Sequence, residues 1–167
     1  MQSIRWVVMG VSGCGKSTIG QALASEEGVP FVEGDQFHPP ANVAKMSAGM
    51  ALTDDDRADW LLALQAQILE ARLNNAGLVI SCSALKRRYR DLLRDGDPAL
   101  CFAHLSGPKE LIAARMQARV GHYMPTSLLD SQFRDLEPLQ QGEAGITLDI
   151  TLPPAELVAR IREINQQ

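Results

Sequence analysis

Eight residues near the start of the chain, "GVSGCGKS" (Gly10–Ser17), restrict its possible folds more than any other feature. They match G-x-x-x-x-G-K-[ST] at every fixed position, and such a loop works only between a β-strand and the N-terminus of an α-helix. Its glycines let backbone N–H groups turn inward around an anion, and the helix start adds partial positive charge. The flanking residues supply that setting. "IRWVVM" (4–9) is a continuous β-type run, and Ile19, Ala22 and Leu23 behind the loop share one helical face. The pattern predicts that Gly10, Ser12, Gly13, Cys14, Gly15, Lys16, Ser17 and Thr18 cradle the phosphates of a nucleoside triphosphate such as ATP. Lys16 reaches the β- and γ-phosphates, and Ser17 offers its hydroxyl to Mg2+. The Cys14 side chain is not required for this.

Strand and helix signals then alternate. "PFVE" (30–33), "GLVIS" (77–81), "ALCFAHL" (99–105) and "ITLDI" (146–150) read as four more strands. Residues 58–73 form the clearest helix, with Leu61, Leu64, Ile68 and Ala71 on one face, widened by Leu62 and Leu69. A helix follows Pro108, with Leu111, Ile112 and Met116 at helical spacing, and a tail helix carries Leu157, Val158, Ile161 and Ile164. The expected architecture is α/β, a five-stranded and mostly parallel sheet flanked by helices. With no repeat, low-complexity segment or linker, residues 1–167 read as one domain.

Composition removes several functions. The net charge is −4, and Lys and Arg do not gather into one block, so no nucleic-acid partner is expected. No apolar run of about 18 residues occurs, so no membrane span is expected, and the N-terminal run reads as a strand, not a signal peptide. Three cysteines, Cys14, Cys82 and Cys101, show no CxxC or metal spacing, which suits a reducing compartment and the cytoplasm. The D-x-x-G and N-K-x-D strings of regulatory GTPases are absent. "VISCSALK" also ends the third strand without the carboxylate of a motor ATPase. Small kinases acting on metabolites or nucleotides remain.

In "VEGDQFHPPANVAK" (32–45), Asp35 follows the second strand, on the sheet edge where ligands of parallel sheets collect. A carboxylate there can orient an acceptor hydroxyl and take its proton; a turn or cap role is the plain alternative. Asp54-Asp55-Asp56 precede the long helix, where acidic residues cap and oppose the dipole, and this reading is preferred to a metal cluster.

Three longer strings carry a closer likeness. "GDQFHPPANVAKMSAGMALTDDDRADWL" (34–61), "ISCSALKRRYRDLLR" (80–94) and "RVGHYMPTSLLDSQFRDLEPL" (119–139) resemble the gluconate kinase (gluconokinase) family. That resemblance implies a fold like adenylate and shikimate kinases, a mobile lid over about residues 119–135, and usually a homodimer. It also implies Mg2+-dependent transfer of the ATP γ-phosphoryl group to the 6-hydroxyl of D-gluconate, giving 6-phospho-D-gluconate and ADP. By the same analogy Lys16, Asp35 and Arg119 are catalytic, with Arg119 on the phosphates and Arg115 on the adenine side. His122 is either a lid contact or a polar cap.

A sugar acid needs a planar cation for its carboxylate and several polar groups for its hydroxyls. Arg57 and Arg90 are the candidates for the first, and His38 and Lys86 for the second; each has a surface-charge alternative. Ala51 and Tyr123 depart from residues common in the family. Other small-metabolite kinases (shikimate or nucleoside-monophosphate kinases) stay open as alternatives, as does a non-catalytic ATP and gluconate sensor.

Overall fold

The computed structural model describes residues 3–118 and 126–166. Strand β1 (Arg5–Met9) sends alternate side chains to opposite faces, and both faces are buried. Trp6 and Val8 join one apolar cluster, Val7 and Met9 another. A strand apolar on both sides belongs at the centre of a covered parallel sheet. There it pairs with β3 (Leu78–Ser81) and β4 (Cys101–Ser106), while β2 (Phe31–Glu33) and β5 (Gly145–Asp149) form the edges. The order is β2-β3-β1-β4-β5 and every pairing is parallel. The five expected strands all form, within two residues of the expected bounds.

Four helices contribute to the first cluster. From α1 (Lys16–Glu27) come Ile19 and Leu23, from α5 (Lys109–Ala118) Ile112, from α6 (Thr126–Asp135) Leu129, and from α7 (Pro154–Asn165) Leu157 and Ile161. The other cluster takes Trp60, Leu61, Leu64 and Ile68 from α3 (Asp54–Leu73) and Leu93 from α4 (Arg87–Arg94). Full burial of one such side chain is worth about 1.5–3 kcal/mol, so either helix is held by tertiary packing more than by its own propensity. No helix among the described residues is long and apolar enough to cross a membrane.

Two expectations change here. Leu62 and Leu69 do not widen the buried face of α3: they are 49% and 38% exposed, on the side away from Leu61, Leu64 and Ile68. The stretch after Asp35, outside every element predicted from sequence, contains helix α2 (Pro40–Ser47), with Pro40 at the first helical position, where a missing N–H costs nothing. The aspartate run, in turn, is the first turn of α3. Thr53 accepts from the Asp56 N–H at 3.1 Å, and the Asp56 carboxylate accepts from the Thr53 N–H at 2.8 Å, a reciprocal capping box. Hydrogen bonds from Lys45 and from Thr53 hold the Asp56 pKa near 2.

Arg90 is fully buried and committed to the protein itself. It donates to Glu143 at 2.8 and 3.0 Å and to the carbonyls of Ala84 at 2.9 Å, Leu85 at 3.3 Å and Pro138 at 3.3 Å. Ala84 has φ +44°, a left-handed conformation that costs a non-glycine residue about 1–2 kcal/mol. The guanidinium thus fastens the bend between β3 and α4. Burial alone would raise the Glu143 pKa; hydrogen bonds from Arg90 and Arg94 outweigh it and bring it down to about 2. Replacing Glu143 by Ala strands a buried cation and is expected to cost about 3–5 kcal/mol in urea unfolding. Because the folded pKa lies below the ordinary 4.5, this contribution is present above pH 4.5 and fades as pH falls toward 2. Urea titrations across that window should show a flatter acid limb in the variant than in the parent.

Candidate active site

The phosphate loop has the expected setting, between β1 and α1. Gly15 caps the helix with φ +101°, and a Cβ built on it would meet nothing within 4 Å, so the space over the helix N-terminus is open. Lys16 folds back over the loop and donates from Nζ to the Val11 carbonyl at 3.0 Å. Thr18 is exposed beside it, on the first turn of α1. The Cys14 thiol is buried, and burial raises its pKa above the ordinary value, which makes it a packing group and not a nucleophile.

Sequence reading did not single out Glu33, yet it joins three chain segments. Ser17 Oγ donates to one of its carboxylate oxygens, and Ser81 Oγ donates to the other at 2.5 Å. Glu33 and Ser81 are register partners on β2 and β3. The carboxylate that the end of the third strand lacks is present beside it, on β2. Gly34 makes the approach possible, since a Cβ there would lie 2.1 Å from the Ser81 carbonyl oxygen. The available signal was the pair of carboxylates around a glycine, Glu33-Gly34-Asp35, at a strand end.

Ser17 and Glu33 offer only oxygen, the donor type that suits a hard divalent cation. Among the described residues no three His, Cys, Asp or Glu side chains cluster as a metal cage. A magnesium site needs none, because phosphates and water complete its coordination.

Lys16, Asp35, His38, Arg57, Ser83 and Gln132 line one cleft. Asp35 lies in a 3₁₀ turn, Gly34–Phe37, fixed from below by a 2.8 Å bond from Trp60 Nε1 to the Gly34 carbonyl. His38 stacks on the same indole, with ring centroids 4.1 Å apart and planes 19° from parallel. Arg57 is 7% exposed; its Nη1 donates to Tyr89 Oη at 2.9 Å and sits 3.6 Å from Asp135.

The two candidate guanidiniums thus separate: Arg57 faces the cleft, and Arg90 does not line it. Lys86 does not line it either, and pairs with Asp54 at 3.2 Å. Arg115 also lies outside the cleft and donates to the Ile150 carbonyl at 3.0 Å, just beyond β5. Arg119, His122 and Tyr123 lie outside the described residues, as does the first part of the expected lid.

Gln132 is the second group that sequence reading passed over. Its Oε1 accepts from the Ser12 N–H at 2.7 Å, and its Nε2 donates to Ser12 Oγ at 3.0 Å. One carboxamide on α6 therefore grips the phosphate loop. Locally, "SQF" shows only a polar residue on an amphipathic helix.

The Glu33 bridge carries a direct prediction. Glu33→Gln keeps the shape and removes the charge, so the affinity of nucleotide in the presence of divalent metal should fall about 10–100-fold. Metal-free nucleotide affinity should change little. Calorimetric titration with and without metal checks both.

Comparison with known proteins places the chain among small-molecule kinases. Residues 12–163 match the family model described as shikimate kinase. The chain is similar to the thermosensitive gluconokinase of Escherichia coli (strain K12), 43% identical over 160 residues, covering 95% of this chain and 85% of that protein. It superposes on a gluconokinase from Sinorhizobium meliloti 1021 with TM-score 0.89 and 44% identity, covering 99% and 93% of the two chains. A sugar kinase from Janibacter sp. HTCC2649, solved without ligand, gives TM-score 0.94 at 47% identity over 98% of this chain and 95% of that one.

Proposed function

The chain belongs to the gluconokinase family of shikimate-kinase-like P-loop kinases, and on that premise we propose that it phosphorylates D-gluconate at the 6-hydroxyl. ATP is the donor, and the products are 6-phospho-D-gluconate and ADP. The observation that carries this reading is one cleft lined by the P-loop Lys16, the carboxylate Asp35 and the buried guanidinium of Arg57. A phosphoryl donor, a hydroxyl and a carboxylate each find a complementary group there.

In this mechanism the open N-terminus of α1 and the loop amides receive the triphosphate. Lys16 leaves the Val11 carbonyl for the β- and γ-phosphate oxygens, where its charge is worth most as the transition state develops. Asp35 aligns the 6-hydroxyl with the γ-phosphorus and accepts its proton late in transfer. Arg57 takes the carboxylate at the far end of the acceptor, which fixes its direction in the cleft. His38 bonds a hydroxyl along the chain.

Ser17 and Glu33 would hold the divalent cation, which we assign as Mg2+. When bound, it neutralises charge on the phosphates. We assign Arg119 to the transferring phosphoryl group and Arg115 to the adenine side, on family analogy. The family also supports one kinase domain over residues 1–167, a lid over about 119–135, and a homodimer. The three unpaired cysteines support a cytoplasmic setting.

An ADP-release assay against gluconate, shikimate, other sugar acids and nucleoside monophosphates tests the substrate. Turnover with gluconate is expected. Turnover only with shikimate or a nucleotide overturns the reading, and gluconate binding without turnover marks a sensor. Asp35→Asn should lower kcat about 10²–10⁴-fold with ATP affinity near that of the parent. Survival of activity would return Asp35 to a turn residue.

A further inference from the structure

We propose that Asn42 is a positioning residue that locks His38 as the neutral imidazole protonated on Nε2, so that His38 meets the acceptor only as a hydrogen-bond donor. The argument is one of donor and acceptor accounting. Asn42 is 3% exposed, so its carboxamide cannot turn to water for partners. Its Nδ2 lies 2.8 Å from the Asp56 carbonyl oxygen, which can only accept. That contact identifies the nitrogen, because a flipped amide would set two oxygens against each other. The same Nδ2 lies 3.2 Å from His38 Nδ1. An amide nitrogen has two hydrogens and no lone pair to give, so Nδ1 must accept and the ring proton must reside on Nε2.

The supports behind this pair are themselves fixed. The Asp56 backbone sits in the capping box of α3, and its carboxylate is held by Lys45 at 2.7 Å and by the Thr53 N–H at 2.8 Å. The ring plane of His38 is set by the Trp60 stack, and Trp60 is held by the Gly34 carbonyl. Tautomer and orientation are thus both determined before any ligand arrives.

Charged groups reach the ring from each packed element. Asp35 on the 3₁₀ turn favours the imidazolium, whereas Arg57 on α3 and burial oppose it; Lys16 of α1 shares the cleft, and the Lys45–Asp56 pair lies behind Asn42. Burial dominates and lowers the ring's pKa below that of a free histidine.

The consequence for substrate rests on the reading of the cleft as a sugar-acid site. Asp35 can only accept from one acceptor hydroxyl, while His38 can only donate to the oxygen of another. An acceptor lacking the second oxygen, or offering only a donor there, is discriminated against.

Long-range ¹H–¹⁵N NMR of the protein tests the lock without any substrate. The expected spectrum shows His38 protonated on Nε2 alone at pH 7. Protonation on Nδ1, or a charged ring at that pH, overturns the proposal. In Asn42→Ala Nδ1 loses its donor, so His38 should become a mixture of the two neutral tautomers. The acceptor KM of the same variant should rise about tenfold, with a smaller fall in kcat and an unchanged KM for ATP. Protonation still on Nε2 alone in Asn42→Ala, or an unchanged acceptor KM in that variant, also overturns it. If gluconate proves not to be the acceptor, the spectrum still decides the lock, and KM is read on whichever compound supports turnover.

Discussion

The active edge of this protein depends on one carboxylate. Glu33 stands at the end of an edge strand and takes hydrogen bonds from Ser17 at the start of α1 and from Ser81 at the end of β3. Ser81 is buried and needs a partner there, and a charged acceptor gives stronger bonds than a neutral one. The bridge fixes β2 against the phosphate loop, and Asp35 follows two residues later on the same backbone. The two acids proposed for the metal and for the acceptor are therefore positioned by one short segment.

Behind the cleft, rigidity comes from buried polar contacts as well as from apolar packing. Trp60 serves two neighbours at once, as a donor to the Gly34 carbonyl and as a stacking surface for His38. Arg90 and Glu143 fasten the left-handed bend at Ala84, and that bend carries Ser83 and Leu85 into the cleft wall. Functional groups on short loops are usually mobile unless something over-determines them. Here the Gly34–Phe37 turn is tied to Trp60 of α3 and the Ala84 bend to a fully buried ion pair.

Much of this was legible in the sequence for physical reasons. The phosphate loop needs fixed glycines, and strands buried on both faces need unbroken apolar runs, so fold and nucleotide side could be read from local pattern. Asp35 was readable because a strand end next to a P-loop is a defined place. What escaped depended on tertiary partners. Arg57 and Arg90 look alike in sequence, and only burial against Glu143 separates them. Leu62 and Leu69 are as apolar as Leu61, yet fall on the outer side of α3. Glu33 is meaningful only once β2 is known to lie beside β3. Gln132, 120 residues from Ser12, had no local signal at all.

Arg57 already has an anion near it. Asp135, at the end of α6, sits 3.6 Å from its guanidinium. If the acceptor carboxylate binds Arg57, it does so by exchange, replacing one negative partner with another. A neutral polyol of the same length brings nothing to exchange and leaves the internal pair intact. On the proposed reading the pair selects by charge, favouring a sugar acid over an uncharged sugar without a steric clash.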